Sequence, residues 1–252
     1  MDYKIYKNCI TPKSSKDLFK FVLKNCSFYC PSLFNNKDNY KNTWIDKKFI
    51  SRMKIFRKKY KSNFSSMYKA IQVSNEFKKM IYKNNLDLIA KNFLKVKAND
   101  LIVHGLVLRM DFPDDTRNSY GWHQDSAYDK FNLSSENGVI LWTPLIDTNP
   151  ENGTLVIKPG SQYSTFKCSE TVSKGKKYHS RQILVKDKFV KKFPSKSVSV
   201  KKNCSLATYS GIFHKSGINT SDQIRFAILV RFNNQFSKDF LYFRNRKSGA
   251  TR

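Results

Sequence analysis

The sequence predicts a mainly β protein with flanking helices, in which a jelly-roll core follows an N-terminal helical layer. Two patterns within the 252 residues support this. Residues 1–100 place apolar side chains at helical spacing, as in Leu18, Phe19 and Val22. From residue 101 onward, short β-branched and aliphatic runs alternate with turn signals such as Asn152-Gly153. Many short strands with loops at regular intervals are typical of a closed double-sheet jelly roll.

The boundaries of the elements follow from these periodicities and from capping and turn residues. We expect helices near residues 15–30, 45–60, 74–82 and 84–94. Strands are expected at residues 101–103, 106–108, 139–145, 154–157, 182–185, 197–201, 206–209 and 225–232. Residues 163–181 are expected to form a long surface loop.

No repeat, linker or Pro/Gly-rich boundary divides the chain. We therefore expect residues 1–252 to form a single domain. Within it, residues 1–100 would be a helical support region, residues 101–235 the jelly-roll catalytic core and residues 236–252 a basic tail.

The formal net charge of +28 is unevenly distributed along the chain. Residues 101–166 are acidic overall, whereas both flanking regions are strongly basic. A basic face attracts nucleic acid, phosphorylated ligands or anionic membrane surfaces. The alternative is a solvated, lysine-rich surface without a partner, which we favour because basic clusters such as Arg57–Lys61 and residues 174–177 carry no motif. Any binding of nucleic acid is then expected to be weak and non-specific.

The composition also bears on localisation. No run of about 18 apolar residues occurs, and the first residues do not resemble a signal peptide, so we expect no membrane span. The five cysteines have no paired metal-binding spacing, which favours reduced thiols. Together these features predict a cytoplasmic protein; they give no indication of its oligomeric state.

The strongest functional signal is the sequence His123-Gln124-Asp125. On a strand, residues two apart face the same side, so the imidazole and the carboxylate could reach one metal ion, with His214 as a second imidazole. Two histidines and one carboxylate leave coordination positions open, as in non-haem Fe(II) oxygenases. A lone His-x-Asp is frequent by chance. Here it is followed by further motifs in order: Trp142-Thr143-Pro144, Gly153-Thr154-Leu155, Pro159-Gly160-Ser161, His214 and Arg225.

In these motifs the chain resembles the phytanoyl-CoA dioxygenase family over roughly residues 100–235. The resemblance implies a double-stranded β-helix fold, bound Fe(II), and 2-oxoglutarate and O2 as co-substrates. One departure is Gln162, where the family pattern usually has a histidine. That position is not a metal ligand in the family, so the departure leaves the expected chemistry unchanged.

The resemblance also implies roles for individual residues. His123, Asp125 and His214 would be the catalytic metal ligands. Arg225 would bind the distal carboxylate of 2-oxoglutarate, for which a planar guanidinium is suited. Ser216, which shares a strand face with His214, and Trp142 are also expected at the co-substrate. Substrate contacts are expected from Gln124, Arg109, Arg231 and Asn219.

Arg231 lies six residues beyond Arg225, so both are expected on the same face of a regular strand. Two arginines inside a barrel are costly unless they meet anions. Arg231 would therefore either bind substrate or co-substrate at the barrel mouth or be turned outward by a bulge. The remaining histidines, His104 and His179, are expected not to take part.

The predicted function is Fe(II)- and 2-oxoglutarate-dependent hydroxylation of a small molecule, with 2-oxoglutarate converted to succinate and CO2. Related halogenases lack the carboxylate ligand, so Asp125 favours hydroxylation or another oxidation. The alternatives are an oxygenase that acts on nucleic acid or a nucleotide-linked substrate, and a basic nucleic-acid-binding protein on the same scaffold.

Overall fold

The structure is a computed structural model that describes residues 2–35, 40–41, 43–115, 119–129, 137–163, 168–171, 182–237 and 240. The predicted basic cluster at residues 174–177, His179, and most of the predicted basic tail lie outside these ranges. In the part of the chain that is described, every helix is too short or too polar to span a bilayer. Cys9, Cys26, Cys30 and Cys204 are buried free thiols, as predicted for them.

Most helices lie in the first hundred residues, and several begin at a side-chain cap. Thr11, Asp46 and Ser74 each accept a hydrogen bond from a backbone N–H of the first turn. The helices are α1 Pro12–Tyr29, α2 Lys47–Lys59, α3 Lys61–Val73, α4 Asn75–Lys83, α5 Leu86–Leu94, α6 Asp125–Asp129 and α7 Asp187–Val190.

Helix α3 was not predicted, and the reason is local. It follows α2 after the single residue Tyr60, which provides no side-chain cap. Its buried positions, Met67 and Ile71, are nevertheless four residues apart, which is a helical spacing. The missing start signal therefore concealed a helix that periodicity alone would have indicated.

The described strands form two main antiparallel sheets and one separate antiparallel pair. The five-stranded sheet has the order β1-β8-β3-β10-β2, the three-stranded sheet the order β7-β4-β9, and β5 pairs with β6. The strands are β1 Tyr3–Tyr6, β2 Leu101–Asp111, β3 Gly138–Pro144, β4 Leu155–Lys158, β5 Cys168–Thr171, β6 Gln182–Val185, β7 Lys196–Val198, β8 Ser205–Tyr209, β9 Phe213–Ser216 and β10 Arg225–Asn234. The predicted fold class is confirmed.

Three strand predictions need correction. Residues 101–111 form one continuous strand instead of two, and β10 pairs with this strand along almost its whole length. Tyr3–Tyr6 adds an edge strand to β8 that the sequence analysis did not anticipate. Within the predicted surface loop at residues 163–181, Cys168–Thr171 is a strand.

Strand β10 shows how the sheet separates the core from the site. Phe226, Ile228 and Val230 belong to the hydrophobic cluster that also contains the buried faces of the helices. Ala227 and Leu229 belong to a second cluster that joins the two main sheets. Because side chains alternate along a strand, Arg225 and Arg231 share the inner face with Ala227 and Leu229.

Trp44 joins the helical layer to the sheet, so we expect Trp44→Phe to destabilise the protein. Its indole contacts Phe19 and Phe226, with ring centroids 5.3 and 4.7 Å away, and its Nε1 donates to Ser15 Oγ at 3.1 Å. Phenylalanine removes the donor and leaves a small void, which should lower the free energy of unfolding by about 1–3 kcal/mol. Urea unfolding would measure this. Phe28→Leu, at a side chain that is 79% exposed, serves as the control, and equal midpoints for both variants would contradict the prediction.

Candidate active site

The backbone brings His123 and His214 together although they are far apart in the sequence. The two residues form an isolated antiparallel bridge, in which each N–H donates to the other's carbonyl at 3.0 Å. Asp125 is the first residue of helix α6 and does not lie on a strand. The expectation that His123 and Asp125 share a strand face was therefore wrong. The chain leaves the bridge after His123 and turns into a helix, and this turn brings the carboxylate back towards both rings.

The three candidate metal donors converge on one point. Asp125 Oδ1 lies 3.2 Å from Nε2 of His123 and 3.6 Å from Nε2 of His214. The Nδ1 atoms of the rings instead face backbone carbonyls, at 2.8 Å from Gly121 O and 3.0 Å from Ile212 O. A carbonyl only accepts, so each ring donates from Nδ1 and keeps its lone pair on Nε2. This donor set can hold a divalent metal ion.

The electrostatic surroundings favour the protonation states that bind metal. Burial and the neighbouring His123 ring lower the pKa of His214 to about 4. Burial alone would raise the pKa of Asp125, but Arg231 and the two histidines outweigh it and hold that pKa well below its usual range. At neutral pH, His214 is therefore a neutral imidazole and Asp125 an ionised carboxylate, which are the forms that metals require.

The donors open into a cavity of about 330 Å³ between the two main sheets. One part of its wall is apolar, with Val107, Ile140, Trp142, Leu155, Ile157, Leu206 and Leu229. The other part carries charged and hydroxyl groups, with Tyr68, Arg109, Asp111, Tyr120, Tyr128, Thr208, Ser216, Arg225 and Arg231. A cavity with an apolar wall and a few convergent polar groups is the usual form of a small-molecule site.

Arg225 lies in this cavity with a defined set of bonds. Its Nε and Nη2 donate to Asp111 Oδ2 at 3.3 and 3.0 Å, and its Nη1 donates to Asn152 O at 3.4 Å. A guanidinium has five N–H groups, so these three bonds leave one N–H on each Nη. A fork of two such N–H groups is the form in which a guanidinium binds the two oxygens of a carboxylate.

The sequence model of the phytanoyl-CoA dioxygenase (PhyH) family matches residues 45–227. The match spans most of the chain and contains the two donor histidines, His123 and His214, together with Asp125 and Arg225. The chain belongs to this family. It is thereby a member of the non-haem iron, 2-oxoglutarate-dependent oxygenases, as the motifs indicated. A search of curated proteins returned no match.

Solved structures share the fold of this PhyH protein. The non-heme alpha ketoglutarate dependent carbocyclase SnoK from nogalamycin biosynthesis is 15% identical, with a TM-score of 0.59, and the match covers 92% of this chain and 80% of SnoK. The epimerase SnoN from the same biosynthesis is 11% identical, with a TM-score of 0.58 and coverages of 92% and 79%. AviO1 from Streptomyces viridochromogenes Tue57 is 14% identical, with a TM-score of 0.57 and coverages of 95% and 92%.

Asp111 is a site residue of this PhyH protein that the sequence analysis missed. It ends β2, and the antiparallel register places it directly opposite Arg225 on β10. Its carboxylate also accepts from Arg109 Nε and Nη2, at 3.2 and 2.6 Å. Arg109, a predicted substrate contact, lines the cavity, and its guanidinium is bonded to Asp111. The only sequence signal for this cluster was the Arg-x-Asp spacing at the end of an apolar strand.

The Asp111 cluster predicts a pH dependence of stability. Burial alone would raise the pKa of Asp111, but Arg109 and Arg225 outweigh it and lower the pKa to about 2. This value lies below the ordinary pKa of 3.8, so the ionised carboxylate stabilises the folded protein fully at pH values above 3.8. The stabilisation is lost as the pH falls from 3.8 towards 2. We expect a contribution of about 2 kcal/mol.

Urea unfolding from about pH 6 down to pH 2 would measure this contribution. Asp111→Asn should be less stable than the wild type near neutral pH, and the difference should narrow below about pH 4. Asp114→Asn, at an exposed position close by, is the control. A difference between wild type and Asp111→Asn that stays constant with pH would contradict the assignment.

The remaining predicted residues divide into two groups. Ser216, Trp142 and Arg231 line the cavity. Two others are buried away from it. The Gln124 amide donates to Gly211 O at 2.7 Å, and the Asn219 amide donates to the carbonyls of Asp111 and Gln223 at 2.9 and 2.8 Å. These contacts hold loops in place, so the structure does not bring either residue to the cavity where a substrate contact was expected.

Two more sequence positions lie apart from the cavity wall. His104 contacts the Asn233 side chain through its Nδ1 at 2.6 Å and is not among the residues around the metal donors. Gln162, which replaces the usual histidine of the family pattern, is buried and donates to Asp2 Oδ1 at 2.6 Å. This contact ties the N-terminal edge of the chain to the turn after β4.

Proposed function

We propose that this chain is an Fe(II)- and 2-oxoglutarate-dependent dioxygenase that hydroxylates a small molecule. The observation that carries the proposal is the convergence of His123 Nε2, His214 Nε2 and Asp125 Oδ1 in the same cavity as the carboxylate-matching fork of Arg225. In the proposed reaction, a substrate C–H, O2 and 2-oxoglutarate yield an alcohol, succinate and CO2.

Each polar residue has a defined task in this proposal. The two histidines and Asp125 would hold Fe(II), which supplies the oxidising chemistry when bound together with 2-oxoglutarate and O2. The Arg225 fork would bind the distal carboxylate of 2-oxoglutarate. Ser216, two residues beyond His214 on β9, lines the same cavity and would add a hydroxyl to that carboxylate. Trp142 faces Arg225, with its ring centroid 5.8 Å from the guanidinium carbon, and would restrict where the co-substrate can lie.

The apolar wall would exclude water from the reacting centre. Ile140, Ile157 and Leu206 are all less than 5% exposed and belong to the cluster between the sheets. A dry, enclosed wall strengthens the charged contacts of the co-substrate and keeps the oxidation directed at the bound substrate. The size of the cavity, about 330 Å³, suits a small molecule or one end of a larger one.

Succinate release tests the proposal. The protein would be loaded with Fe(II) without oxygen, then exposed to O2 and 2-oxoglutarate with acyl-CoAs, amino acids, sugars or nucleotides. We expect one class to raise succinate release well above Asp125→Ala measured in parallel. SnoK is a carbocyclase and SnoN an epimerase, so the product of this chain has to be identified by mass spectrometry. Hydroxylation predicts a product that has gained one oxygen atom. A product of unchanged mass would support epimerisation instead.

A second candidate is an oxygenase that acts on nucleic acid, which the +28 charge favours. Three arginines line the cavity, but Asp111 and Asp125 accompany them, so the cavity is far less basic than the helical layer. Binding to random DNA should therefore be weak and should fall steeply between about 50 and 200 mM salt. Tight binding that persists at 200 mM salt, with DNA-dependent succinate release, would favour this candidate over the first.

We also propose that the helical region and the jelly roll act as one domain. Trp44, Phe49 and Phe226 pack together in a single hydrophobic cluster that spans both regions. The match to the family begins at residue 45, within the helical region, and continues through the jelly roll, which supports a single domain. A truncated chain that starts at residue 101 should then not fold, and its circular dichroism spectrum should lack the signal of regular secondary structure.

A further inference from the structure

Arg231 is the second arginine on the inner face of β10, and its partner is the carboxylate of the metal-donor set. Its Nε donates to Asp125 Oδ2 at 2.7 Å. The other oxygen of the same carboxylate, Oδ1, faces Nε2 of both histidines. The two oxygens of Asp125 therefore have different partners, one in the donor set and one in a charged hydrogen bond.

The backbone around Arg231 maintains this arrangement. The register of β2 against β10 shifts between Arg231, which lies opposite Gly105, and Phe232, which lies opposite Val103, so His104 is the extra residue of β2 at this shift. The irregularity thus lies on β2, so β10 stays regular and Arg231 remains on the inner face. Opposite Arg231 lies Gly105, where an added Cβ would stand only 3.2 Å from Nη1 and 3.3 Å from Cδ of the arginine. The glycine leaves the room that the Arg231 side chain occupies.

We infer that Arg231 is a positioning residue that keeps Asp125 bound to the metal through Oδ1 alone. The inference rests on the proposed metal site. A carboxylate with both oxygens available can bind a metal through either one or both of them. If Asp125 took two coordination positions, fewer would remain for a two-toothed co-substrate and O2. The charged bond from Nε holds Oδ2 away and orients the ligand, which is the task of outer partners at metal sites.

The same contact argues against both roles that the sequence analysis left open for Arg231. An arginine turned outward would not line the cavity, and Arg231 does. An arginine whose task is to bind substrate would not need its Nε on a metal-donor carboxylate. The position of this bond therefore favours a task in the metal site itself, which is present before either organic molecule binds.

Metal affinity in the absence of 2-oxoglutarate and substrate tests the inference. Fe(II) or Co(II) binding would be measured by anaerobic titration calorimetry for wild type, Arg231→Gln and Arg231→Lys. We expect Arg231→Gln to bind the metal about 10–100-fold more weakly, the usual effect of losing an outer partner. Arg231→Lys, which keeps the charge without the planar Nε–H, should fall between the two. The visible spectrum of the Co(II) form should also change in Arg231→Gln, because the carboxylate is free to bind through both oxygens.

Controls separate this inference from the proposed function. Arg52→Gln, on helix α2 and bonded to Tyr40, should bind metal like the wild type. Circular dichroism of the metal-free variants tests whether they fold. If Arg231→Gln does not fold, the metal affinity of Arg231→Lys tests the inference in the same titration. A wild type that binds no divalent metal would overturn the proposed function. A wild type that binds metal, with variants within twofold of its affinity and an unchanged Co(II) spectrum, would overturn only the role of Arg231.

Discussion

His214→Ala, Asp125→Ala and His123→Ala are each expected to abolish succinate release and to reduce Fe(II) binding to a level that titration barely detects. The structure places three donor atoms at the site, and no fourth His, Cys, Asp or Glu among the described residues joins the group. A metal held by three protein ligands loses about a third of its protein contacts with each substitution. The expected loss of turnover is at least 1,000-fold, on the order of 4 kcal/mol or more.

The fold should survive these substitutions, and this separates the loss of metal from a loss of structure. Asp125 faces the cavity and lies outside the main hydrophobic cluster, so its removal breaks the ion pair with Arg231 without opening that cluster. Circular dichroism spectra should therefore match the wild type. His104→Ala, which removes a histidine outside the donor group, is the matched control and should retain metal binding. Full turnover by His214→Ala at saturating iron would show that another group holds the metal, and His179 would be the first to test.

The features that the sequence predicted well were those set by local patterns. Alternation along residues 225–232 placed Arg225 and Arg231 on one face, and both line the cavity. The turn signal at Gly153 was also informative. Gly153 has a φ of +82°, and an added Cβ would stand 2.7 Å from Nη1 of Arg225. Glycine is needed there both for the backbone conformation and for the close approach of the loop to the guanidinium.

The features that the sequence analysis missed depend on contacts between distant segments. Asp111 contacts Arg225 because the register of β2 against β10 places the two residues opposite each other, and no local sequence pattern predicts that register. Likewise, Asp125 reaches the two histidines from a helix start, although a strand had been assumed. The donor set was named from motif order, and the geometry that joins the donors became visible only in the folded chain.

Arg225→Lys is expected to raise the concentration of 2-oxoglutarate needed for half-maximal turnover more than tenfold. Arg225 is 2% exposed and already uses three N–H groups on Asp111 and Asn152, which leaves a fork of two for a carboxylate. A lysine has one nitrogen and cannot serve Asp111 and a co-substrate carboxylate in the same geometry. Losing one charged contact costs roughly 1.5–3 kcal/mol, which corresponds to about a 10–150-fold weaker interaction.

Two measurements make this last prediction specific to the co-substrate. Titration of 2-oxoglutarate against the metal-loaded protein should show the weaker binding directly, while Fe(II) affinity without 2-oxoglutarate should stay close to that of the wild type. Arg231→Lys should show the opposite pattern, with weakened metal binding already in the absence of 2-oxoglutarate. Arg52→Lys on the outer helix should change neither. If Arg225→Lys left the 2-oxoglutarate dependence unchanged, the carboxylate would have to bind elsewhere in the cavity, and Arg231 would become the candidate anchor.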